Sequence, residues 1–163
     1  MKKILLLSDS HSYIDEHILK HAEMVDEIWH AGDIGSLEVT DALSKIRPVK
    51  AVYGNIDDAT IRSIFPKNLF FKCENVGILM THIAGNPPHY NKLVLEQIKR
   101  YKPQIFVCGH SHLLKVMYDK TNQLLFMNPG AIGKYGIHTV RTMLRFEINN
   151  DKINNLEVIE IQR

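Results

Sequence analysis

Seven polar residues of this 163-residue chain follow short apolar runs, and all seven have side chains that bind metal ions. They are Asp9, His11, Asp33, Asn55, His82, His110 and His112. Two carboxylates, four imidazoles and one amide oxygen form a mixed set of oxygen and nitrogen donors. Such a set suits divalent first-row transition ions such as Mn, Ni, Fe, Co or Zn. Because these ligands are too many for one ion, they predict two ions, roughly 3.5 to 4 Å apart, that share a carboxylate and a hydroxide.

The charge of such a centre indicates its substrate. Two divalent cations carry four positive charges, and two aspartates with one bridging hydroxide remove three of them. The single positive charge that remains suits a phosphodiester, which is a monoanion. The residues therefore predict a small phosphodiester as the substrate.

The apolar runs before these residues have the pattern of buried strands. Residues 4–7 are four consecutive aliphatic side chains without polar alternation, which is typical of a strand buried on both faces. The other ligands follow residues 27–30, 49–53, 76–80 and 105–108. Because open α/β sheets usually build their sites at the carboxyl ends of strands, we expect the ligands to meet at one edge.

Helix-like segments alternate with these strands in the first half of the chain. Apolar residues recur at helical spacing over 14–22, residues 37–46 predict a second helix, and residues 91–101 predict a third. The second half adds hairpins, predicted for 68–73 with 76–80, 114–118 with 123–127, and 142–148 with 153–161. Segment 85–88 contains too many breakers for regular structure. The alternation predicts an α/β fold.

Composition limits the classes of protein. The length fits a single domain over residues 1–163, and the formal net charge of +2, with Lys and Arg scattered, does not indicate a nucleic-acid binder. Cys73 and Cys108 lie in apolar contexts and are expected to be buried thiols rather than a disulfide. The apolar run at residues 4–7 is too short for a signal peptide, and no later run has membrane-spanning length. We expect a soluble cytoplasmic protein without a membrane partner.

Five short motifs carry a resemblance to a known family. Asp9-x-His11, Gly32-Asp33, Gly54-Asn55, Thr81-His82 and Gly109-His110-x-His112 occur in the order found in calcineurin-like metallophosphoesterases. The short length, residues 30–33 (His-Ala-Gly-Asp) and residues 128–130 (Asn-Pro-Gly) are most similar to the small bacterial and archaeal phosphodiesterases of that superfamily. The resemblance implies two mixed β-sheets packed face to face and flanked by helices.

The resemblance also implies roles for the ligands. It assigns Asp9, His11 and His112 to the first ion, assigns Asn55, His82 and His110 to the second, and makes Asp33 the bridge. Asn55 would also contact the substrate phosphate. The implied reaction is in-line attack by the bridging hydroxide, with no covalent protein intermediate. The resemblance further suggests a homodimer.

One position departs from the family pattern. Most of the superfamily has a histidine after the Gly-Asn pair, where it protonates the leaving alkoxide, but this chain has Ile56. Since general acid catalysis contributes about 10² to 10⁴-fold, poor leaving groups are expected to react slowly. Asp57, which normally partners the missing histidine, is predicted to be either a structural cap or a weak contact. His89 is the substitute donor that we would test first.

Other interpretations stay open at this point. Asp9 and Asp33 could be helix caps, because aspartate commonly caps the helix that follows a loop. His110 and His112 could be ordinary loop histidines. Lys134, Tyr135, His138 and Arg141 are expected to be solvated, with contact to substrate anions as the alternative. Two other functions fit the fold: a protein-binding scaffold similar to the small subunit of the eukaryotic retromer, whose metal site is degraded, and a phosphomonoesterase or nucleotide pyrophosphatase.

Overall fold

Two five-stranded mixed sheets form the framework, and the computed structural model describes all residues from Met1 to Arg163. The first sheet has the strand order β12-β11-β1-β2-β3 and the second has the order β4-β5-β8-β10-β9. The strands of the first sheet are β1 (Lys2–Leu7), β2 (Glu27–His30), β3 (Val49–Ala51), β11 (Val140–Asn149) and β12 (Lys152–Gln162). Those of the second are β4 (Asn68–Cys73), β5 (Val76–Thr81), β8 (Ile105–Val107), β9 (Leu114–Asp119) and β10 (Leu124–Pro129). The two-residue strands β6 (Gly85–Asn86) and β7 (His89–Tyr90) pair with each other.

Four helices complete the fold, and each begins where a polar side chain caps its first turn. They are α1 (Glu16–Glu23), α2 (Leu37–Ser44), α3 (Ala59–Ile64) and α4 (Lys92–Tyr101). Asp15, Ser36, Asp58 and Asn91 accept hydrogen bonds from the backbone N–H groups of these first turns. Such caps satisfy amides that have no partner inside the helix, and they fix where each helix starts.

The core lies between the two sheets. Ile4, Leu6 and Trp29 of the first sheet pack in one cluster with Ile78 and Val107 of the second. On the outer face of the first sheet, Leu5 and Leu7 pack against apolar residues of α1, α2 and α3. On the outer face of the second sheet, Val94 and Ile98 of α4 cover Phe106 and Phe126. Alternate residues of β1 thus face the two cores, which explains its uninterrupted aliphatic run.

The structure confirms the predicted fold class, since the chain folds into two mixed sheets packed face to face with helices outside. All three hairpins form as predicted. The prediction of irregular structure at 85–88 was wrong in part, because β6 lies there and pairs with β7. Helix α3 was missed because it has only six residues. Its cap Asp58 was the available signal.

Two further expectations can be compared with the structure. Cys73 and Cys108 are free and buried, as predicted. None of the four helices combines the length and the apolar composition that crossing a bilayer requires.

Candidate metal centre

The parallel strands of both sheets bring the seven predicted ligands together. Strands β1, β2 and β3 run parallel in the first sheet, and β5, β8 and β10 run parallel in the second. Asp9 and His11 follow β1, Asp33 follows β2, Asn55 follows β3, His82 follows β5, and His110 and His112 follow β8. Because the two sheets face each other, the loops at these carboxyl ends share one site.

Six of the seven residues form two groups of potential metal ligands. Asp9, His11 and His112 make one group, and Asp33, His82 and His110 make the other. Within each group, one ligand atom per residue lies within 4.8 Å of the corresponding atoms of the other two residues. The first group has the three members that the resemblance assigned to the first ion, whereas the second group contains Asp33, the predicted bridge, in place of Asn55. The amide Oδ1 of the seventh residue, Asn55, lies 3.0 Å from Nδ1 of His110.

The carboxylate of Asp33 lies between the two groups. Its Oδ2 atom is 3.5 Å from Nε2 of His11 in the first group and 3.2 Å from Nε2 of His82 in its own group. Oδ1 of Asp9 lies 3.2 Å from Nε2 of His112 and 3.8 Å from Nε2 of His82. An oxygen of each aspartate therefore faces imidazoles of both groups, and Asp33 approaches the imidazole of the other group more closely, at 3.5 Å, than Asp9 does, at 3.8 Å.

Three buried ligand atoms have no hydrogen-bond partner: Oδ1 of Asp9, Nε2 of His11 and Nε2 of His82. Leaving a buried polar atom unpaired costs on the order of 1 to 3 kcal/mol, so such atoms require an explanation. These three atoms lie close together, but their geometry does not allow hydrogen bonds between them. Oxygen and imidazole nitrogen with free lone pairs are the donors that first-row divalent ions use, so these residues fit the predicted ions.

The remaining polar atoms of the ligands are held by the protein. Nδ1 of His82 lies 2.7 Å from the carbonyl oxygen of Ala31, and since a carbonyl can only accept, this nitrogen carries the proton. Nε2 of His82 is then the nitrogen with the free lone pair. Oδ2 of Asp9 accepts from the hydroxyl of Ser8 at 2.6 Å and from the backbone N–H of His110 at 3.1 Å. Oδ1 of Asp33 accepts from the N–H of Ile56 at 3.1 Å.

The backbone at the site is strained. Five of the predicted ligands have left-handed backbone conformations, with φ between 45° and 71°. They are Asp9, His11, Asp33, His110 and His112. A non-glycine residue in this region costs roughly 1 to 2 kcal/mol, and strained residues of this kind concentrate at functional sites. The interpretation of Asp9 and Asp33 as helix caps fails, because the caps of α1 and α2 are Asp15 and Ser36.

The aspartates and histidines of the site shift the pKa values of one another. Burial alone would raise the pKa of Asp33, but the adjacent imidazoles of His11 and His82 hold that pKa well below its ordinary value. Burial alone would lower the pKa of His82, but Asp33 and Asp9 raise it above 6.5. Asp9 likewise raises the pKa of His112. The carboxylates thus stabilise positive charge at the positions where cations are predicted to bind.

The structure places the two predicted auxiliary residues outside the ligand groups. The carboxylate of Asp57 is buried and accepts from the backbone N–H groups of Gly54, Gly35 and Ile34 at 2.7, 2.8 and 3.2 Å. These contacts correspond to the structural cap that was one of its two predicted roles. His89 lies in β7 with an exposed side chain that makes no hydrogen bond, so nothing in the structure links it to the ligands.

Residues of the loop after β10 lie closer to the site than the sequence suggested. The ring of Tyr135 stacks on His11 with centroids 4.8 Å apart, and His138 packs edge-on against His112 at 5.6 Å. Arg141, which lies in β11 after this loop and was expected to be solvated, is buried and donates to Asp15 at 2.8 Å. That expectation was wrong because a long-range ion pair leaves no local signal in the sequence. The role of the Ala31 carbonyl was missed because its contact with His82 is also long-range, whereas Ser8 was missed although it is adjacent in sequence to Asp9.

Comparison with known proteins identifies the family. The model of the calcineurin-like phosphoesterase superfamily domain matches residues 1–151. The chain belongs to this superfamily. A probable metallophosphoesterase of Methanocaldococcus jannaschii is 26% identical over 132 residues, which are 77% of this chain and 66% of that protein.

Solved structures with the calcineurin-like phosphoesterase fold cover nearly the whole chain. Wild-type Vps29 of Entamoeba histolytica, in complex with Zn²⁺, superposes with a TM-score of 0.75 at 18% identity and covers 98% of each chain. A structure described as a novel archaeal phosphodiesterase gives a TM-score of 0.72 at 20% identity and covers 98% of this chain and 99% of that one. At these identities the similarity establishes the fold.

Proposed function

We propose that this calcineurin-like phosphoesterase is a dinuclear metal-dependent phosphodiesterase. The observation that carries the proposal is the position of Oδ2 of Asp33, between Nε2 of His11 at 3.5 Å and Nε2 of His82 at 3.2 Å. A carboxylate oxygen between two groups of metal ligands is what a bridging ligand requires. The family membership and the fold shared with an archaeal phosphodiesterase support the same conclusion.

In this proposal each ligand keeps the role that the family resemblance implies. Asp9, His11 and His112 would hold one ion, Asn55, His82 and His110 the other, and Asp33 would bridge them. The two ions, once bound, supply a Lewis acid for the phosphoryl oxygens and a nucleophile derived from water. Metal analysis of the purified protein will identify the ions among Mn, Ni, Fe, Co and Zn.

The remaining residues of the site orient the ligands. Asn55 is exposed at the rim, where it can contact the substrate phosphate, and the guanidinium of Arg62 donates to its backbone carbonyl at 3.2 Å. The N–H of Ile56 holds Asp33, but its apolar side chain, which is 46% exposed, has no proton to donate to a leaving group. Activated esters, whose leaving groups need no proton, are therefore the substrates with which to detect activity.

A non-catalytic scaffold is the alternative from another class. Its metal site would be expected to have lost ligands, whereas all seven positions here keep metal-competent side chains, six of them in two converging groups. This completeness favours the enzyme. A phosphomonoesterase or nucleotide pyrophosphatase remains the third candidate, and it is separated by comparing the rates of mono- and diester hydrolysis. The homodimer and the cytoplasmic location remain predictions from the sequence.

The direct test combines activity with metal content. The purified protein with added Mn²⁺ or Ni²⁺ is expected to hydrolyse bis(p-nitrophenyl) phosphate. Asp33→Asn should lower the rate by about 100-fold or more, since it weakens the ligand on which both ions depend. Asp41→Asn, at an exposed position in α2 outside both groups, is the matched control and should keep full activity. A protein that binds no divalent metal and cleaves no activated ester would refute the proposal.

A further inference from the structure

A groove of about 910 Å³ begins at the metal centre and follows helix α4. Asn55 and His82, two predicted ligands of the second ion, line its near end, and Arg100 lines its far end. Its helical wall runs from Lys92 to Arg100, a distance of roughly 12 Å at the rise of an α-helix. A substrate bound at the metal centre can therefore extend into this groove.

Positive charge is concentrated in the groove. Four cationic side chains line it, with Glu96 as the one acidic side chain. They are Arg62, Lys67, Lys92 and Arg100. The whole chain has a formal net charge of only +2, so this concentration is local. Clefts lined by one sign of charge raise the local concentration of oppositely charged ligands.

Three of these cations form no ion pair or side-chain hydrogen bond within the protein, and the guanidinium of one of them, Arg100, lies 5.2 Å from the centroid of the Tyr101 ring. Lys67, Lys92 and Arg100 take part in no ion pair, although the chain forms ion pairs elsewhere, such as Lys50 with Glu27 at 2.6 Å. All three side chains are exposed. Arg62 differs, because its guanidinium donates to the carbonyl of Asp57 at 2.7 Å and to that of Asn55. The three free cations are thus available to an anionic ligand.

The groove offers no open aromatic surface. Tyr53 is the only phenol or phenyl side chain among its lining residues, and the guanidinium of Arg62 lies over that ring at 4.8 Å from the centroid. Proteins that bind single-stranded nucleic acid combine a basic groove with aromatic rings on which bases stack. Because it has no such ring, the groove is suited to binding phosphate groups by charge rather than to stacking nucleobases.

We propose that this groove binds a phosphate group of the substrate other than the one that is cleaved. The natural substrate is then a small phosphoester that carries at least one additional phosphate, as a terminal monoester or as part of a polyphosphate chain. This inference rests on the proposed phosphodiesterase function, because it specifies the substrate class of the same metal centre. The cleaved phosphate lies at the predicted ions and the additional one lies between β4 and α4, near Lys67, Lys92 and Arg100.

Two chromogenic substrates that differ by one phosphate test the proposal. They are thymidine 5′-(p-nitrophenyl phosphate) and its 3′-phosphorylated counterpart, each assayed with Mn²⁺. The 3′-phosphorylated ester is expected to have a kcat/KM about 10-fold higher, and this ratio should fall as ionic strength rises. Equal kcat/KM values for the two esters would overturn the proposal for a terminal phosphate.

Variants of α4 locate the effect. The double variant Lys92→Gln/Arg100→Gln should lower the ratio of the two kcat/KM values by about 3- to 10-fold. Lys99→Gln is the matched control, since Lys99 is exposed in the same helical turn as Arg100 but does not line the groove. It should leave the ratio unchanged. A ratio that falls equally in both variants would show a general charge effect and would overturn the assignment to the groove.

A binding experiment separates this proposal from the proposed activity. Inorganic tripolyphosphate is titrated calorimetrically into the chelator-treated protein, so that no metal ion and no hydrolysis contribute. Binding that is at least about 5-fold weaker in Lys92→Gln/Arg100→Gln, but unchanged in Lys99→Gln, supports a polyphosphate site even if no ester is cleaved. Absence of binding, or equal binding by all three proteins, overturns the polyphosphate form of the proposal whatever the outcome of the activity assay.

Discussion

His82 and His112 lie beside the carboxylates with which they are proposed to share ions, and this proximity makes metal binding depend on pH. Asp33 and Asp9 raise the pKa of His82 above 6.5, and Asp9 raises that of His112. In the metal-free protein each histidine therefore contributes stability that is present below pH 6.5 and is lost as pH rises through its raised pKa. A protonated imidazole cannot bind a metal ion, so protons and metal compete for these nitrogens.

We therefore predict that the protein binds Mn²⁺ more tightly as pH rises from 6 to 8.5. The affinity should change by up to about 10-fold per pH unit for each proton released. Titration calorimetry in two buffers of different ionisation enthalpy measures both the affinity and the protons released. His17→Gln, which changes an exposed histidine in α1, should show the same pH dependence. An affinity independent of pH would contradict this prediction.

His30 is the opposite case, a buried imidazole with a low pKa. Nδ1 accepts from the N–H of Gly32 at 3.2 Å, so Nε2 carries the proton and donates to the hydroxyl of Ser10 at 2.8 Å. Burial lowers the pKa of His30 to about 4, below the unfolded value of 6.5. Its contribution to stability is fully present above pH 6.5 and is lost as pH falls toward 4, because the unfolded state then binds more protons.

The resulting prediction concerns the free energy of unfolding. Between pH 7 and pH 4, this one group should lower it by about 3 kcal/mol. Urea denaturation of the wild type and of His30→Asn across this range isolates the effect, since other groups titrate alike in both proteins. The stability difference between them should shrink as pH falls. A difference that stays constant from pH 7 to pH 4.5 would exclude a role for His30 protonation.

At the scale of elements, one carboxylate joins two of the loops that deliver ligands. Asp57, at the end of the turn before α3, accepts from Gly54 in its own loop and from Ile34 and Gly35 in the loop after β2. The two loops approach so closely that a Cβ atom on Gly54 would lie 2.1 Å from Oδ1 of Asp33. Glycine is therefore required at position 54, and the distance between Asp33 and Asn55 depends on Asp57.

Asp57→Ala is predicted to lower the free energy of unfolding by about 3 kcal/mol, because buried N–H groups lose a charged acceptor. Metal affinity should fall as well, since the two loops are no longer joined. The neighbouring Asp58→Ala is the control: it removes only the cap of α3 and should cost about 1 kcal/mol without changing metal affinity. Chemical denaturation and metal titration of both variants measure these effects. Equal losses in the two variants would mean that Asp57 acts only through α3.

At the scale of the whole molecule, the site depends on the packing of one sheet against the other. Ligands from β1, β2 and β3 belong to the first sheet and those from β5 and β8 to the second, so the core between the sheets sets their separation. Trp29, the only tryptophan, lies in this core with its ring 5.1 Å from Phe71 and 5.6 Å from Phe146. Its fluorescence therefore reports on the interface between the sheets.

Leu6→Ala is predicted to lower the free energy of unfolding by about 3 kcal/mol, since Leu6 is fully buried between the sheets and the substitution leaves a cavity. Unfolding followed by Trp29 fluorescence and by circular dichroism should give coincident transitions in both proteins, because one core holds both sheets. Leu113→Ala, at an exposed position, should cost less than about 0.5 kcal/mol. A cost for Leu6→Ala as small as that of the control would refute the role given to this core.

The sequence alone determined the strands that carry the predicted ligands and the edge of the sheets at which those residues meet. Uninterrupted aliphatic runs such as residues 4–7 mark strands buried on both faces, and polar residues at their ends mark the edge where a site is built. These signals are local, so no tertiary information was needed to find Asp9 or His82. The breaker-rich segment around β6 and the short helix α3 escaped because each has too few residues to show a period.

Only the tertiary structure decided which residues outside the five motifs surround the site. Tyr135 stacks on His11, and Arg141 donates a hydrogen bond to Asp15. Lys67, Lys92 and Arg100, the three groove cations without an ion pair, come from two different segments of the chain. Such contacts join residues far apart in sequence, and no local periodicity or spacing records them. Cationic residues that are scattered along the chain line one groove only because β4 and α4 pack beside the predicted ligands. The predicted metal ligands could thus be found from the sequence, whereas the surface that would select the substrate emerged from the packing of the two sheets and their helices.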